Sequence, residues 1–217
     1  MIADKSPEPR WPGFIALLAV GILYFALPES LSVGPRWLLL AIVLVLLIPI
    51  IVSHRVGHHP LHKLFTLIAN GVITVTMISS LAFLVEGLPK HRESPLVLLL
   101  AAVSLWITNV LVFALWYWRL DGGGPASRDR IQGRFSGAFL FPQMLLEGNS
   151  VPGIKDVPAH FSPTFVDYLF LAFNTSTAFS PTDTAVLARW AKLVMIAQSL
   201  ISLSIVALLA ARAVNVL

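Results

Sequence analysis

Residues 96–118 read LVLLLAAVSLWITNVLVFALWYW, twenty-three in a row without a charge. At 1.5 Å per helical residue the run is about 35 Å long, more than the roughly 30 Å hydrocarbon core of a bilayer. It opens behind Ser94-Pro95, a cap residue followed by a proline that suits the first helical position, where its missing N–H costs nothing. It closes on Trp116, Tyr117 and Trp118, amphipathic rings that suit the headgroup region. These 23 residues read as a membrane-crossing helix.

Four further apolar runs obey the same rule. Trp11 to Leu27 and Trp37 to Val52 are short spans, Leu64 to Val85 is comfortable, and Trp190 to Val214 closes the chain. Trp11, Trp37 and Trp190 also stand at run ends. Of the 217 residues 57% are hydrophobic and 12% charged, against about 25% charged in soluble domains, which excludes a soluble globule and a disordered chain. The absence of cysteine excludes a disulfide scaffold and a thiolate metal site. The net charge of +4 resides in short loops between apolar runs, so its acidic partner is a membrane surface and not nucleic acid. Lys5 and Arg10 before the first run suggest a secretory signal. Asp4 and Glu8 dilute that charge, Pro28 ends the run and no small-x-small cleavage site follows, so an uncleaved anchor is expected.

The tetrapeptide Phe-Ser-Pro-Thr occurs twice, at Phe161 to Thr164 and at Phe179 to Thr182, each before an apolar or amphipathic segment. Ser180-Pro181-Thr182-Asp183 also has the form of a capping box. Two helix starts are therefore expected 18 residues apart. The first helix, 164–178, is about 22 Å long and either crosses a thin spot or re-enters. The second runs from 181 into the last span. Between Leu120 and Phe161, Asp121-Gly122-Gly123-Gly124-Pro125 is a break. Arg128, Arg130 and Arg134, with Phe135, Phe139, Leu140, Phe141, Met144, Leu145 and Leu146, suggest an interfacial helix beyond it. The triple glycine follows a membrane helix and not a strand, so it lacks the context of a phosphate-cradling loop.

Asp167-Tyr168-Leu169-Phe170, Phe173-Asn174-Thr175-Ser176-Thr177-Ala178-Phe179, the acid Asp183 and Leu187-Ala188-Arg189 before a long apolar helix form an ordered series. It resembles the pore module of the potassium-channel superfamily: outer helix, short pore helix, Thr-rich filter and inner helix. The resemblance implies an outer helix at 96–120, a pore helix at 164–175, a filter region at 177–183, an inner helix from 191 and assembly as a tetramer. The glycines of that filter are absent, with Ala178, Phe179, Ser180 and Pro181 in their stretch. Stacked carbonyl selectivity of the familiar kind is therefore not expected. What the resemblance retains is a short helix aiming a Thr/Ser-rich turn at the membrane interior.

The plainer alternative is that Ser180 and Asp183 cap the last helix while Thr175 and Ser176 bond back to carbonyls one turn earlier. At membrane depth Asn70, Asn109, Gln198, Ser199 and Ser202 read as interhelical glue, or alternatively Asn174, Gln198 and Ser202 line a permeation path. His54, His58, His59 and His62 cluster in one loop, but Pro60 interrupts the i, i+4 pair and no metal site is expected. No hydrolase, metalloprotease, P-loop or dinucleotide signature is present; His160 and Asp167 are the one acid–base pair left for an intramembrane hydrolase. With the N-terminus inside and the short helix re-entering, eleven of the fifteen basic residues face the cytoplasm, including those of the long loop. A potassium-channel pore loop faces the other way.

The expectation is an all-α, polytopic helical membrane protein of the cell membrane, with five transmembrane helices plus one short helix. Residues 1–95 form an N-terminal three-helix membrane region. Residues 96–217 form the pore-like module: outer helix 96–120, polar loop with interfacial helix 121–162, short helix 164–178 and inner helix 181–215. The lining candidates are Asn174, Thr175, Ser176, Thr177, Ser180, Thr182, Asp183, Gln198 and Ser202. The expected partners are the bilayer and further copies of the chain, four if it is channel-like. No nucleic acid, enzymatic activity or cofactor is expected beyond a monovalent cation. The alternative is a non-conducting scaffold or partner-binding protein.

Overall fold

Each apolar run becomes a helix because a chain without water partners must satisfy its backbone internally. The computed structural model describes residues 8–56, 59–87, 94–128, 137–145, 161–177 and 183–216. Helix α1 is Trp11–Phe25, α2 Trp37–Val56, α3 His59–Gly87 and α4 Pro95–Leu120. A 3₁₀ turn, Asp121–Gly123, leads to the single turn α5, Pro125–Arg128. A two-residue strand β1, Phe139–Leu140, precedes the single turn α6, Pro142–Leu145. Then come α7, Phe165–Thr177, a second two-residue strand β2, Ala185–Val186, and α8, Arg189–Val216. Three helices, α3, α4 and α8, are long and apolar enough to cross a membrane; α1 and α2 are shorter apolar helices.

Helix α4 is the hub, packing against α1, α3, α7 and α8, while α2 bridges α1 and α3. Ser94 caps it as its sequence suggests, accepting from the Val97 N–H at 3.4 Å with Pro95 in the first turn. Close backbone approach at two glycines seats α1. A Cβ on Gly13 would lie 2.5 Å from the Trp118 ring of α4, and one on Gly21 2.8 Å from a Leu40 methyl of α2. Polar residues of α3 are accommodated locally, with the hydroxyls of Thr66, Thr74, Thr76 and Ser79 donating to carbonyls one turn back.

Two expectations are corrected. The stretch 121–162 was expected to carry one interfacial helix, but its described residues form the turns α5 and α6 and strand β1. Phe139, Phe141 and Met144 are buried in the core, so these apolar side chains do not face lipid; Arg130, Arg134, Phe135 and Leu146 lie outside the described residues. The last helix begins at Arg189, not at 181. Residues 185–186 pair antiparallel with β1 instead, Phe139 opposite Val186 and Leu140 opposite Ala185, and Leu187 N–H donates to the Ala138 carbonyl at 2.8 Å. Backbone pairing with β1 gives these residues hydrogen-bond partners outside any helix.

Candidate functional site

The short helix α7 starts with the carboxylate half of a capping box. The Asp167 carboxylate accepts from the Thr164 backbone N–H at 2.7 Å and its hydroxyl at 2.9 Å, so the first Phe-Ser-Pro-Thr copy does mark a helix start. The second does not: Asp183 is exposed in a bend six residues before α8, and Ser180 and Thr182 lie outside the described residues. At 13 residues α7 is about 20 Å long. Its depth is fixed by two contacts with α4. Near the start of α7 the Tyr168 hydroxyl donates to Asp121, just past the end of α4, at 2.7 Å. Near its end Ser176 meets Asn109, in the middle of α4, at 3.3 Å. Asn109 and Asp121 are twelve residues apart, about 18 Å along the axis.

Helix α7 thus runs antiparallel to α4 and stops halfway along it. The chain then comes back. Strand β2 pairs with β1, whose Phe139 ring contacts Tyr117, Tyr168 and Trp190 with centroids 5.3, 6.2 and 6.1 Å away. By residue 185 the backbone has returned to the end at which α7 began, and α8 starts from there along α4 and α7.

Four of the expected lining residues converge between α4, α7 and α8, but they face inward and are bonded. Gln198 Nε2 donates to the Ala172 carbonyl and to Ser176 Oγ, both at 2.7 Å, while Gln198 Oε1 accepts from the Tyr117 hydroxyl at 2.5 Å. Ser202 donates to the Ser176 carbonyl at 2.5 Å and Ser199 to that of Thr175 at 3.4 Å. Thr175 itself donates back to Leu171 at 2.8 Å, and Thr177 to Asn174 at 3.1 Å. Asn109 adds two long bonds, to Ser176 Oγ at 3.3 Å and the Gln198 carbonyl at 3.4 Å, and its buried Oδ1 has no partner. Asn174 is half-buried and Asp183 stands apart from this seam.

A second buried cluster closes the entry end of α7. Arg128, 1% exposed, donates to the Trp118 and Asp121 carbonyls at 2.8 and 2.9 Å and pairs with Glu8 at 2.9 Å. Glu8 also accepts from Trp118 Nε1 at 2.5 Å. The Asp121 carboxylate accepts from Ala138 N–H at 2.5 Å and from Tyr168, whose ring lies 5.1 Å beneath the Arg128 guanidinium. The sequence reading assigned Arg128 to a surface patch. Its burial was not legible from local pattern, because Glu8 and Tyr168 are 120 and 40 residues away; the one available signal was an acid, Asp121, directly before three glycines. Those glycines all have positive φ, which lets the chain fold back so tightly that Arg128 reaches the end of α4.

Elsewhere Trp116 Nε1 donates to Thr74 at 2.9 Å, joining α3 to α4, while both amide atoms of buried Asn70 lack partners. His62 Nδ1 lies 3.1 Å from the Ile50 carbonyl; the side chains of His54, His58 and His59 lie outside the described set. Among the described residues no group of three His, Cys, Asp or Glu side chains is placed to hold a metal.

These features define a helical protein of membrane type, with a half-length helix held between two long apolar ones. No protein-family model, no curated protein and no solved structure matches the chain.

Proposed function

We propose that the chain is a five-span protein of the cell membrane whose α4, α7 and α8 form a divergent pore module, assembled as a tetramer around a narrow path for a monovalent cation. The observation that carries this reading is the in-and-back course of the chain. Helix α7 enters beside α4, ends at mid-depth by Asn109, and the backbone is back at the starting end by β2 before α8 crosses. A helix that stops at mid-membrane directs the negative end of its dipole there, which favours a cation. Thr177 and Asp183, on either side of this return, would line the path.

The orientation follows from charge. The N-terminus, the start of α3, the end of α4 and the start of α7 share one end of the bundle, and Arg10, Lys63, Arg119 and Arg128 of the eleven basic residues counted above lie at it. Under the positive-inside rule the re-entrant segment is cytoplasmic, so the module is inverted relative to potassium channels.

A second reading has its own support. Gln198, Ser176 and Ser202 use their polar atoms within one subunit, as interhelical glue in a non-conducting scaffold would. Native mass spectrometry in nanodiscs and cation flux in liposomes separate the two. A fourfold assembly with flux that Thr177→Val and Asp183→Asn diminish supports the pore. A folded monomer with no flux, in which those substitutions alter nothing, supports the scaffold.

A further inference from the structure

A cavity of about 330 Å³ opens where α1, α3 and α4 end together. Arg10, His62, Lys63 and Arg119 line it with Ser127, the Trp118 ring forms an apolar wall, and no acid is among its described lining residues. Arg119 is the unusual member. It is only 8% exposed, yet its Nε and Nη1 are buried without any hydrogen-bond acceptor. Its guanidinium lies 5.9 Å from the Trp118 ring. A guanidinium carries five N–H donors and stays charged, so a buried one with unmet donors is completed by acceptor oxygens.

The glycine turn shapes the floor. At Gly124, φ is +94° and a Cβ would lie 2.8 Å from the Arg119 carbonyl, so the chain passes directly over that residue and brings Ser127 to the cavity. This is not a backbone phosphate cradle, since the donors converging here are side chains.

We propose that this cavity binds a phosphoryl group, held by Arg119, Arg10 and Lys63 with Ser127 as a further donor. With no acid among the described lining residues, the buried Arg119 charge and its basic neighbours favour an anionic ligand over a cationic one. A phosphoryl group carries a full negative charge on tetrahedrally arranged oxygens, two non-bridging in a lipid phosphodiester and four in free phosphate, which suits donors that converge from different helices. The site is independent of any pore and requires only the shared end of α1, α3 and α4. Its natural sources are an anionic lipid headgroup reaching in from the bilayer and free phosphate from solution.

The purified full chain is placed in nanodiscs of digalactosyldiacylglycerol, a neutral lipid without phosphate, of that lipid with phosphatidylglycerol, and of that lipid with inorganic phosphate in the buffer. Bound lipid is read by native mass spectrometry and stabilisation by thermal midpoint. Retention of phosphatidylglycerol that Arg119→Gln and Lys63→Gln each weaken about tenfold identifies a lipid headgroup. A thermal shift with inorganic phosphate that the same variants lose identifies free phosphate. In digalactosyldiacylglycerol alone Arg119→Gln melts no lower than the parent chain, because it removes an uncompensated buried charge. Lys63 is exposed, so its variant keeps the test decisive if Arg119→Gln does not fold. If neither phosphatidylglycerol nor phosphate distinguishes the parent chain from both variants, the proposal is overturned.

Discussion

Replacing Arg128 by methionine tests whether the entry cluster holds the end of α4, β1 and α7 together. The guanidinium supplies three charge-assisted contacts, to the Trp118 and Asp121 carbonyls and to Glu8, from a side chain with no solvent exposure. Methionine fills much of the volume but leaves the Glu8 side chain, only 6% exposed, without its counter-charge. Removing one member of a buried pair costs about 3–5 kcal/mol, chiefly through the charge left behind. For a chain of this size each kcal/mol moves the thermal midpoint by about 2–4 °C, so a loss of roughly 6–20 °C is expected. Melting in detergent, followed by size-exclusion with intrinsic fluorescence, reads it. Glu8→Gln keeps an acceptor for Trp118 Nε1 and should cost less, about 1.5–3 kcal/mol. The double variant should then lose much less than the sum of the two losses, because the charge that Arg128→Met strands is gone. An Arg128→Met midpoint within about 3 °C of the parent, or strict additivity in the double variant, would refute the cluster as an interacting unit.

Three other outcomes are expected. Gly13→Ala drives a methyl into a Trp118 ring that Glu8 holds in place and should cost about 1–3 kcal/mol, whereas Gly21→Ala meets only a Leu40 methyl that can rotate away and should cost at most about 1; equal melting shifts would contradict this. Gln198→Leu removes bonds to Tyr117, Ala172 and Ser176 and should destabilise by about 2–4 kcal/mol, while Asn109→Leu gives up two long bonds and an orphaned Oδ1 and should stay within about 1, measured by the same melts. Since the chain has no native cysteine, Ser127→Cys can be probed in cells with a membrane-impermeant thiol reagent; labelling should require opening the membrane, and labelling of intact cells would reverse the assigned orientation.

What could be read in advance tracks how local its cause is. The helices were legible because apolar length and end-capping are properties of consecutive residues, and Ser94-Pro95 and the Phe161 to Thr164 motif each mark a helix start. The second copy of that motif misled, because the same four residues can open a helix or run into a strand, and β1, 45 residues upstream, decided for the strand. In the seam, Gln198, Ser176 and Ser202 were singled out by being polar at membrane depth, but the direction they face depends on how α4 and α8 enclose α7. Arg128 and Glu8 were least legible. An isolated arginine in a polar stretch has the pattern of a surface residue, and only tertiary structure shows the carboxylate that allows it to be buried.

The two polar clusters, taken together, constrain how α7 can act. Tyr168 fixes its entry to Asp121, and Ser176 fixes its far end to Gln198 and Asn109, eight residues or about 12 Å away. Sliding α7 along α4 by even one residue, about 1.5 Å, would break bonds of 2.7 Å at both ends at once, and each leaves a buried polar group unsatisfied. Rotation about its own axis is opposed as well, since Tyr168, Ala172, Thr175 and Ser176 all point into the packed side while Val166, Phe170 and Phe173 are exposed on the other. In a tetrameric pore α7 would therefore be a fixed strut, and opening would have to come from movement between subunits. That exposed apolar face of α7, with Leu193, Ile196, Leu200 and Leu203 on α8, is where lipid or a neighbouring subunit would lie. Phe170→Ala would then separate the two readings: it weakens a tetramer if subunits meet there, and it leaves the assembly unchanged if lipid covers the face.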